Sequence, residues 1–264
     1  MTILMFGDVI GKPGRKAVAR ILPDLRKKYD LDLVIANAEN LAHGIGITKK
    51  TVDFVLEAGV DVLTSGNHIF AKKEGIDLLA NKEYPILRPA NYPPGVVGRG
   101  YDIFKVRTKK VLVINLLGRV FFALDYDCPF RCADEILEKY KEEKDLIKII
   151  DFHAEATSEK KAFGFYLDGR VSAVLGTHTH VPTQDFKILP KGTAYVTDIG
   201  MVGTADSIIG DKKEPILKRF LHQIPTRLEI EEEGPVEVNA VVVEVDDKTG
   251  KAKKIEKIYQ TVDI

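Results

Sequence analysis

The chain contains no tryptophan and only two cysteines, and its 39 basic side chains are matched by 39 acidic ones. Without a net charge there is no global field to hold the protein on nucleic acid or on an anionic membrane, so a polyanionic partner has to be recognised locally. Cys128 and Cys132 stand four apart with no second pair, which excludes a Cys-type zinc set, a disulfide framework and a thioredoxin motif. The longest apolar runs, such as Val111 to Leu117, fall far short of the ~20 residues that span a bilayer. The opening MTILMFGD carries no basic stretch ahead of an apolar one, as a secretory leader would. A cytoplasmic protein with no membrane partner is expected. At 45% hydrophobic and 30% charged residues over 264 positions, the composition is that of a globular chain with a substantial core. With no linker, repeat or low-complexity block, residues 1–264 read as one domain.

What is present is an alternation of short apolar, β-branched runs with longer amphipathic stretches, the pattern of strands and covering helices in an α/β sheet. The runs predict strands at Ile3–Phe6, Leu33–Ala36, Val60–Thr64, Val111–Leu116, Ile147–Phe152, Val171–Leu175, Ala194–Thr197 and Val238–Val245. Helices are predicted over Gly14–Tyr29, Thr48–Ala58, Lys72–Leu79, Ala133–Lys144, Ser158–Leu167 and Pro215–Leu221, with Thr48 as an N-cap and Gly59 as a stop. VNAVVVEVDD and KKIEKIYQTV flank the turn signal DDKTG and read as a hairpin. The Pro-rich Pro85–Gly100 stretch reads as a surface loop or hinge.

The informative residues are those that follow the apolar runs. Ile3–Phe6 leads into Gly7-Asp8, Leu33–Ala36 into Asn37-Ala38-Glu39-Asn40, and Val60–Leu63 into Thr64-Ser65-Gly66-Asn67-His68. Ile147–Ile150 leads into Asp151-Phe152-His153, and Val171–Leu175 into Gly176-Thr177-His178-Thr179-His180. Five times a metal-ligand type of side chain stands just past a buried strand, at the edge where open α/β sheets form their ligand crevice. Four of the six histidines fall in these motifs. A lone histidine is usually structural, but four at one edge beside carboxylates and asparagines point to a metal site. Imidazole, carboxylate and amide oxygen without thiolate suit Fe, Mn or Zn.

Two glycine-based readings fail. Gly7 to Pro13 has three residues between its first glycines and a proline after Lys12, where a phosphate loop needs four and a Ser or Thr. Gly7, Gly11 and Gly14 also miss the dinucleotide spacing. They read instead as the turn that launches the first helix; that helix start can attract a substrate phosphate with Lys12 or Arg15 beside it, although a solvated role is favoured for each side chain.

Taken in order, Gly7-Asp8, Glu39-Asn40, Gly66-Asn67-His68, His153 and Gly176 to His180 resemble the calcineurin-like metallophosphoesterases. The phrases NAEN, DFHAEATSEK and TDIGMVG resemble more narrowly the bacterial YmdB-type branch, whose members are similar to cyclic-nucleotide phosphodiesterases. The resemblance implies a four-layer α/β/β/α sandwich with a dinuclear site at the carboxyl ends of the strands. It implies one metal on Asp8, Glu39, Asn40 and His180, the other on Glu39, Asn67, His153 and His178, and His68 free to protonate the leaving oxygen. Three positions depart from the broader superfamily. Ile10 stands where most members resemble D-x-H, the bridging carboxylate is Glu39 in place of an aspartate, and Ile69 follows the GNH motif where an acidic residue is usual. Asn40 is the candidate to fill the place of the missing imidazole, and what orients His68 is left open.

Such residues answer a chemical need. A phosphodiester is anionic and repels hydroxide. Two cations ~3.5–4 Å apart neutralise it and align the attacking and leaving oxygens. The expectation is a phosphodiesterase of small nucleotides, 2′,3′-cyclic ones first, with two ions of Fe or Mn, or of Zn. A phosphomonoesterase or nuclease on the same site, or a metal-containing regulatory or RNA-associated protein with incidental turnover, are the alternatives. Long nucleic acid is not expected as partner, and a homo-oligomer is compatible with the chain. Asp151, Glu155 and Asp198 are candidates to orient ligand imidazoles, with a surface or capping role the equal alternative for each. Phe121, Phe122 and Tyr126 suit either burial or base stacking, with burial favoured. His43 and His222 read as loop and surface residues.

Overall fold

The computed structural model of the protein describes residues 1–143 and 145–264. Its first sheet is built around β1 (Thr2–Val9), which pairs in parallel with β2 (Leu33–Asn37) and β10 (Met201–Thr204). β2 pairs in turn with β3 (Val62–Thr64). The long hairpin β11 (Val236–Val245) and β12 (Ala252–Val262) joins antiparallel, giving the order β12-β11-β10-β1-β2-β3. The second sheet runs β4 (Tyr101–Val106), β5 (Lys109–Leu117), β6 (Ile147–His153), β7 (Ala173–Thr177), β9 (Ala194–Val196) and β8 (Lys187–Ile188), with β5, β6, β7 and β9 parallel.

Side-chain alternation along each strand makes the layers. On β1, Ile3 and Met5 join Leu33 and Ile35 in a core shared with Val111, Val113, Ile147 and Ile149 of the other sheet. Leu4 and Phe6 point the opposite way, into a core with helices α1 (Gly11–Tyr29), α2 (Lys49–Glu57) and α3 (Lys73–Ala80). Leu112, Ile114 and Leu116 do the same on the far side, packing on α4 (Pro129–Lys139) and α5 (Thr157–Tyr166). Two sheets face to face with helices outside each form the expected four-layer α/β/β/α sandwich. α6 (Lys213–His222) is largely exposed.

Thr48 accepts its predicted place at the head of α2, its N–H bonded 3.0 Å from the Thr51 hydroxyl, and Gly59 follows the helix with φ +103°. The strands β4, β10 and the two-residue β8 lie outside the predicted set. YDIFKV interleaves charges on a half-buried edge, and MVGT is short and broken by glycine, so neither shows an apolar run. The Pro85–Gly100 stretch is more than a surface loop: Ile86 and Leu87 are buried, and bridges join Ile86 to Leu63 and Leu87 to Arg99. Its proline ring geometry suits an extended crossover between the sheets. α4 begins at Pro129, four residues earlier than predicted, because proline at N1 is already set for a helix. The predicted end of that helix, Lys144, lies outside the described residues.

Candidate metal centre

The register of the strands brings their carboxyl ends level. Asp8 is opposite Asn37, Asn37 opposite Thr64, Leu117 opposite His153, and His153 opposite Thr177. A bulge between Phe6 and Asp8 turns the Asp8 side chain toward the seam between the sheets. All eight side chains singled out from the sequence lie along this seam: Asp8, Glu39, Asn40, Asn67 and His68 on the first sheet's side, His153, His178 and His180 on the second's.

At the centre, Glu39, His153 and His178 each present one donor atom, and these lie within 4.8 Å of one another. His153 Nε2 is 3.1 Å from Glu39 Oε1 and 3.0 Å from His178 Nδ1. Asn40 Nδ2 is 3.1 Å from His180 Nε2, and Asp8 Oδ1 is 3.9 Å from the same ring nitrogen. Gly66 makes the close approach feasible: a Cβ there would fall 2.2 Å from His153 Nε2 and 2.5 Å from Glu39 Oε2. His178 and His180 have φ +103° and +64°, a backbone region that costs non-glycine residues about 1–3 kcal/mol and persists only where surroundings impose it.

The surroundings that impose it are buried and polar. Lys160, 1% exposed inside α5, donates to the Thr177 carbonyl at 2.7 Å and to Asp198 at 2.6 Å. Asp198 in turn accepts the Thr179 N–H at 3.1 Å and the Gly200 N–H at 2.9 Å, while the Asp8 carboxylate accepts the His178 N–H at 3.0 Å. The imidazole faces are set as well. Thr177 Oγ1 lies 2.9 Å from His153 Nδ1, the Ile209 carbonyl 2.7 Å from His180 Nδ1, and Glu155 Oε2 2.9 Å from His178 Nε2. The opposite nitrogen of each ring is thereby turned toward the cluster. Of the three carboxylates expected to orient imidazoles, only Glu155 touches a ring. Asp151 acts through the Thr177 hydroxyl at 2.6 Å, and Asp198 serves Lys160, because that buried ammonium needs a counter-charge.

Charge follows the same geometry. Burial works against ionisation of Glu39, but the facing His153 and the His68 N–H, 2.8 Å away, hold its carboxyl down to about 2. Burial together with the neighbouring His153 pushes His178 down to about 2, so its imidazole is neutral with a free lone pair. Burial raises the Asp8 carboxyl and lifts that of Asp151 to about 6.

Do these residues fit metal ions? Among the described residues, Asp8 Oδ1, Asn40 Oδ1 and Asn67 Oδ1 are buried without a hydrogen-bond partner. Buried polar atoms are rarely left so, and these three share one crevice with three imidazoles and a carboxylate. Hard oxygen and borderline nitrogen donors, no thiolate and open valences are what Fe, Mn or Zn ions use. The donor set therefore fits.

Other residues fall elsewhere. His43, exposed, lines a groove with Lys212, Arg227 and Ile230, and His222 closes α6 on the surface. Arg15 is committed to the Leu41 carbonyl and is no free phosphate ligand. Phe122 lies against His178, ring centroids 4.9 Å apart, and Phe121 is exposed, whereas Tyr126 is buried. Sequence reading missed Lys160, whose charge in an amphipathic helix signals solvent, and Thr177, which carries no distinguishing pattern.

Two sandwiched sheets with this donor cluster at their carboxyl edge define a metallophosphoesterase-type fold. The model of the YmdB-like protein family matches residues 4–258, and the chain belongs to that family. It is 48% identical over 258 residues to the 2′,3′-cyclic-nucleotide 2′-phosphodiesterase of Bacillus subtilis (strain 168), covering 98% of this chain and 96% of that one. A crystal structure of a hypothetical protein from Thermus thermophilus superposes with a TM-score of 0.92 at 44% identity, over 100% of both chains. That of a novel phosphatase from Mycoplasma pneumoniae gives 0.93 at 38% identity, over 100% of this chain and 94% of its own.

Proposed function

We propose that the chain is a phosphodiesterase that opens 2′,3′-cyclic nucleotides with two metal ions, acting as one catalytic domain over residues 1–264 in the cytoplasm. The name of the Bacillus relative supports the substrate class. The observation that carries the reading is the set of three orphaned oxygens: those of Asp8 and Asn40, whose side chains meet His180, and that of Asn67, between Gly66 and His68 at the same strand end. In this reading Asp8, Glu39, Asn40 and His180 hold one ion, and Glu39, Asn67, His153 and His178 hold the other; the metals are Fe or Mn, or Zn. When bound, such a pair neutralises the phosphodiester and lowers the pKa of water toward ~7, supplying the nucleophile.

The protein's own residues do the rest. Glu39 stays ionised, so it can lie between two cations and reduce their repulsion. The asparagine amides bind without adding negative charge, which keeps the site electrophilic. Glu155, Thr177 and the Ile209 carbonyl hold the three rings in place. His68 is tethered by its backbone N–H to Glu39 Oε2 at 2.8 Å, and its Nε2 lies 3.4 Å from Asn67 Nδ2. In this reading His68 passes a proton to the departing ribose oxygen, so that the leaving group departs as a neutral hydroxyl.

The test is hydrolysis of 2′,3′- and 3′,5′-cyclic nucleotides, a monoester and an oligonucleotide by metal-replete protein. The reading expects the 2′,3′-cyclic diester to turn over fastest, and His68→Gln to lower kcat by ~100-fold or more with metal content retained. No turnover of any diester overturns it.

A further inference from the structure

The donor cluster can bind any phosphoester; it holds nothing that distinguishes a nucleotide. Aromatic side chains at its rim do. β5 ends at Leu117, level with His153, and the chain then enters a loop that runs to Cys128. The start of that loop is clamped. The buried Glu159 carboxylate accepts the N–H groups of Arg119 at 3.0 Å and Val120 at 3.2 Å, and a Cβ on Gly118 would fall 2.6 Å from Ala154 Cβ and from Glu159 Oε2. Beyond the clamp, Phe122 tilts at 41° against His178. Behind Phe122 stand Tyr126 at 6.0 Å, then Tyr92 and Phe70, each edge to face with its neighbour. Phe121 is 84% exposed and carries φ +69°.

A phenyl group held in solvent on a left-handed backbone gains no burial and adds strain. A loop anchored by a buried carboxylate that lays Phe122 against His178 and leaves its neighbour Phe121 in solvent is explained by a ligand with a flat apolar face. In a cyclic nucleotide the base is one ribose away from the phosphorus, and every base has a π face that stacks on an aromatic side chain. We propose that residues 119–126 form the base platform of this site, with Phe122 as the stacking face, Phe121 closing over the base and Phe122 setting the preference for nucleotides over other diesters. The proposal rests on the phosphodiesterase reading for its substrate. Because stacking tolerates all bases, the platform selects nucleosides without choosing strongly among them.

The chain has no tryptophan, so Phe122→Trp introduces a single fluorophore at the platform. Adenosine 3′-phosphate titrated into metal-replete Phe122→Trp protein is expected to quench it saturably, and ribose 5-phosphate is expected not to. In kinetics, the ratio of kcat/KM for 2′,3′-cyclic AMP to that for the base-free methyl riboside 2′,3′-cyclic phosphate should fall ~5–50-fold in Phe122→Leu, mostly through KM, and be restored in Phe122→Trp. Equal quenching by both ligands, or by neither, or an unchanged ratio in Phe122→Leu, overturns the platform. So does a Phe121→Ser protein that changes oligomeric state while keeping the ratio, which would make the rim a contact between copies. If neither diester is hydrolysed by the unaltered chain, the phosphodiesterase reading fails and the quenching alone decides the platform.

Discussion

The two sheets contribute unlike halves to the centre. The first brings oxygen donors, Asp8 from the end of β1 and Glu39, Asn40 and Asn67 from the turns after β2 and β3; the second brings the imidazoles of His153, His178 and His180. The oxygen half is left unsatisfied, with three orphaned atoms. The nitrogen half is braced by Lys160, Asp198, Thr177 and Glu155. Buried polar groups with no partner reduce stability, and buried pairs lose much of it when one member is removed. The oxygen side should therefore answer to metal and the buried Lys160–Asp198 brace of the nitrogen side to folding, while the half-exposed Glu155 acts on its ring alone.

Substitutions on the two sides can break that contrast. The largest expected effect is that of Lys160→Met, which strands the Asp198 carboxylate and should lower unfolding free energy by about 3–5 kcal/mol in urea titrations. Adding Asp198→Asn should recover part of the stability without restoring the His178 turn. Asn67→Ala belongs to the other side. It should change metal-free stability by under ~1 kcal/mol, yet weaken metal binding by at least ~100-fold, read by calorimetric titration of metal-free protein. If both variants lose stability equally, the contrast is wrong. Glu155→Gln keeps the size of the group that touches His178 Nε2 but removes its charge; metal affinity should fall by ~10–100-fold, and melting should move little.

The smallest effect lies away from both halves. Burial, then Glu135 and Asp127, push the Cys132 thiol up to about 11. The native state thus keeps the neutral thiol while the unfolded chain ionises near ~8.5. The stability it contributes is whole below that value and is lost as pH rises toward about 11. Melting temperature should drop over that window less steeply in Cys132→Ala, and Cys132 should resist alkylation at pH 7.

How much of this was legible differs by half. The oxygen donors and imidazoles were readable because each follows a buried apolar run, and parallel strands put such positions at one edge. Asn40 as a stand-in for an imidazole at position 10 rests on the resemblance; its Oδ1 is buried without a hydrogen-bond partner. The braces were illegible. Lys160 and Glu159 sit adjacent in the charged first half of α5, and nothing local says that segments distant in sequence supply their partners. The role of Asp198 stays open between orienting an imidazole and a surface or capping place, because the contact that claims it lies 38 residues away. β4 and β10 escaped for a related reason: their stability comes from pairing, not from their own pattern. Core or interface burial is the favoured reading for the three loop aromatics; Tyr126 is buried within the chain, and Phe121 is exposed on it.

Anomalous diffraction at the Fe, Mn and Zn edges, from crystals of protein purified without added metal, addresses the joining of these halves most directly. Two peaks on either side of Glu39 are predicted, one beside Asn40 and His180, the other beside Asn67, His153 and His178. Peaks at Cys128 and Cys132 alone, or none along the seam, would contradict the account.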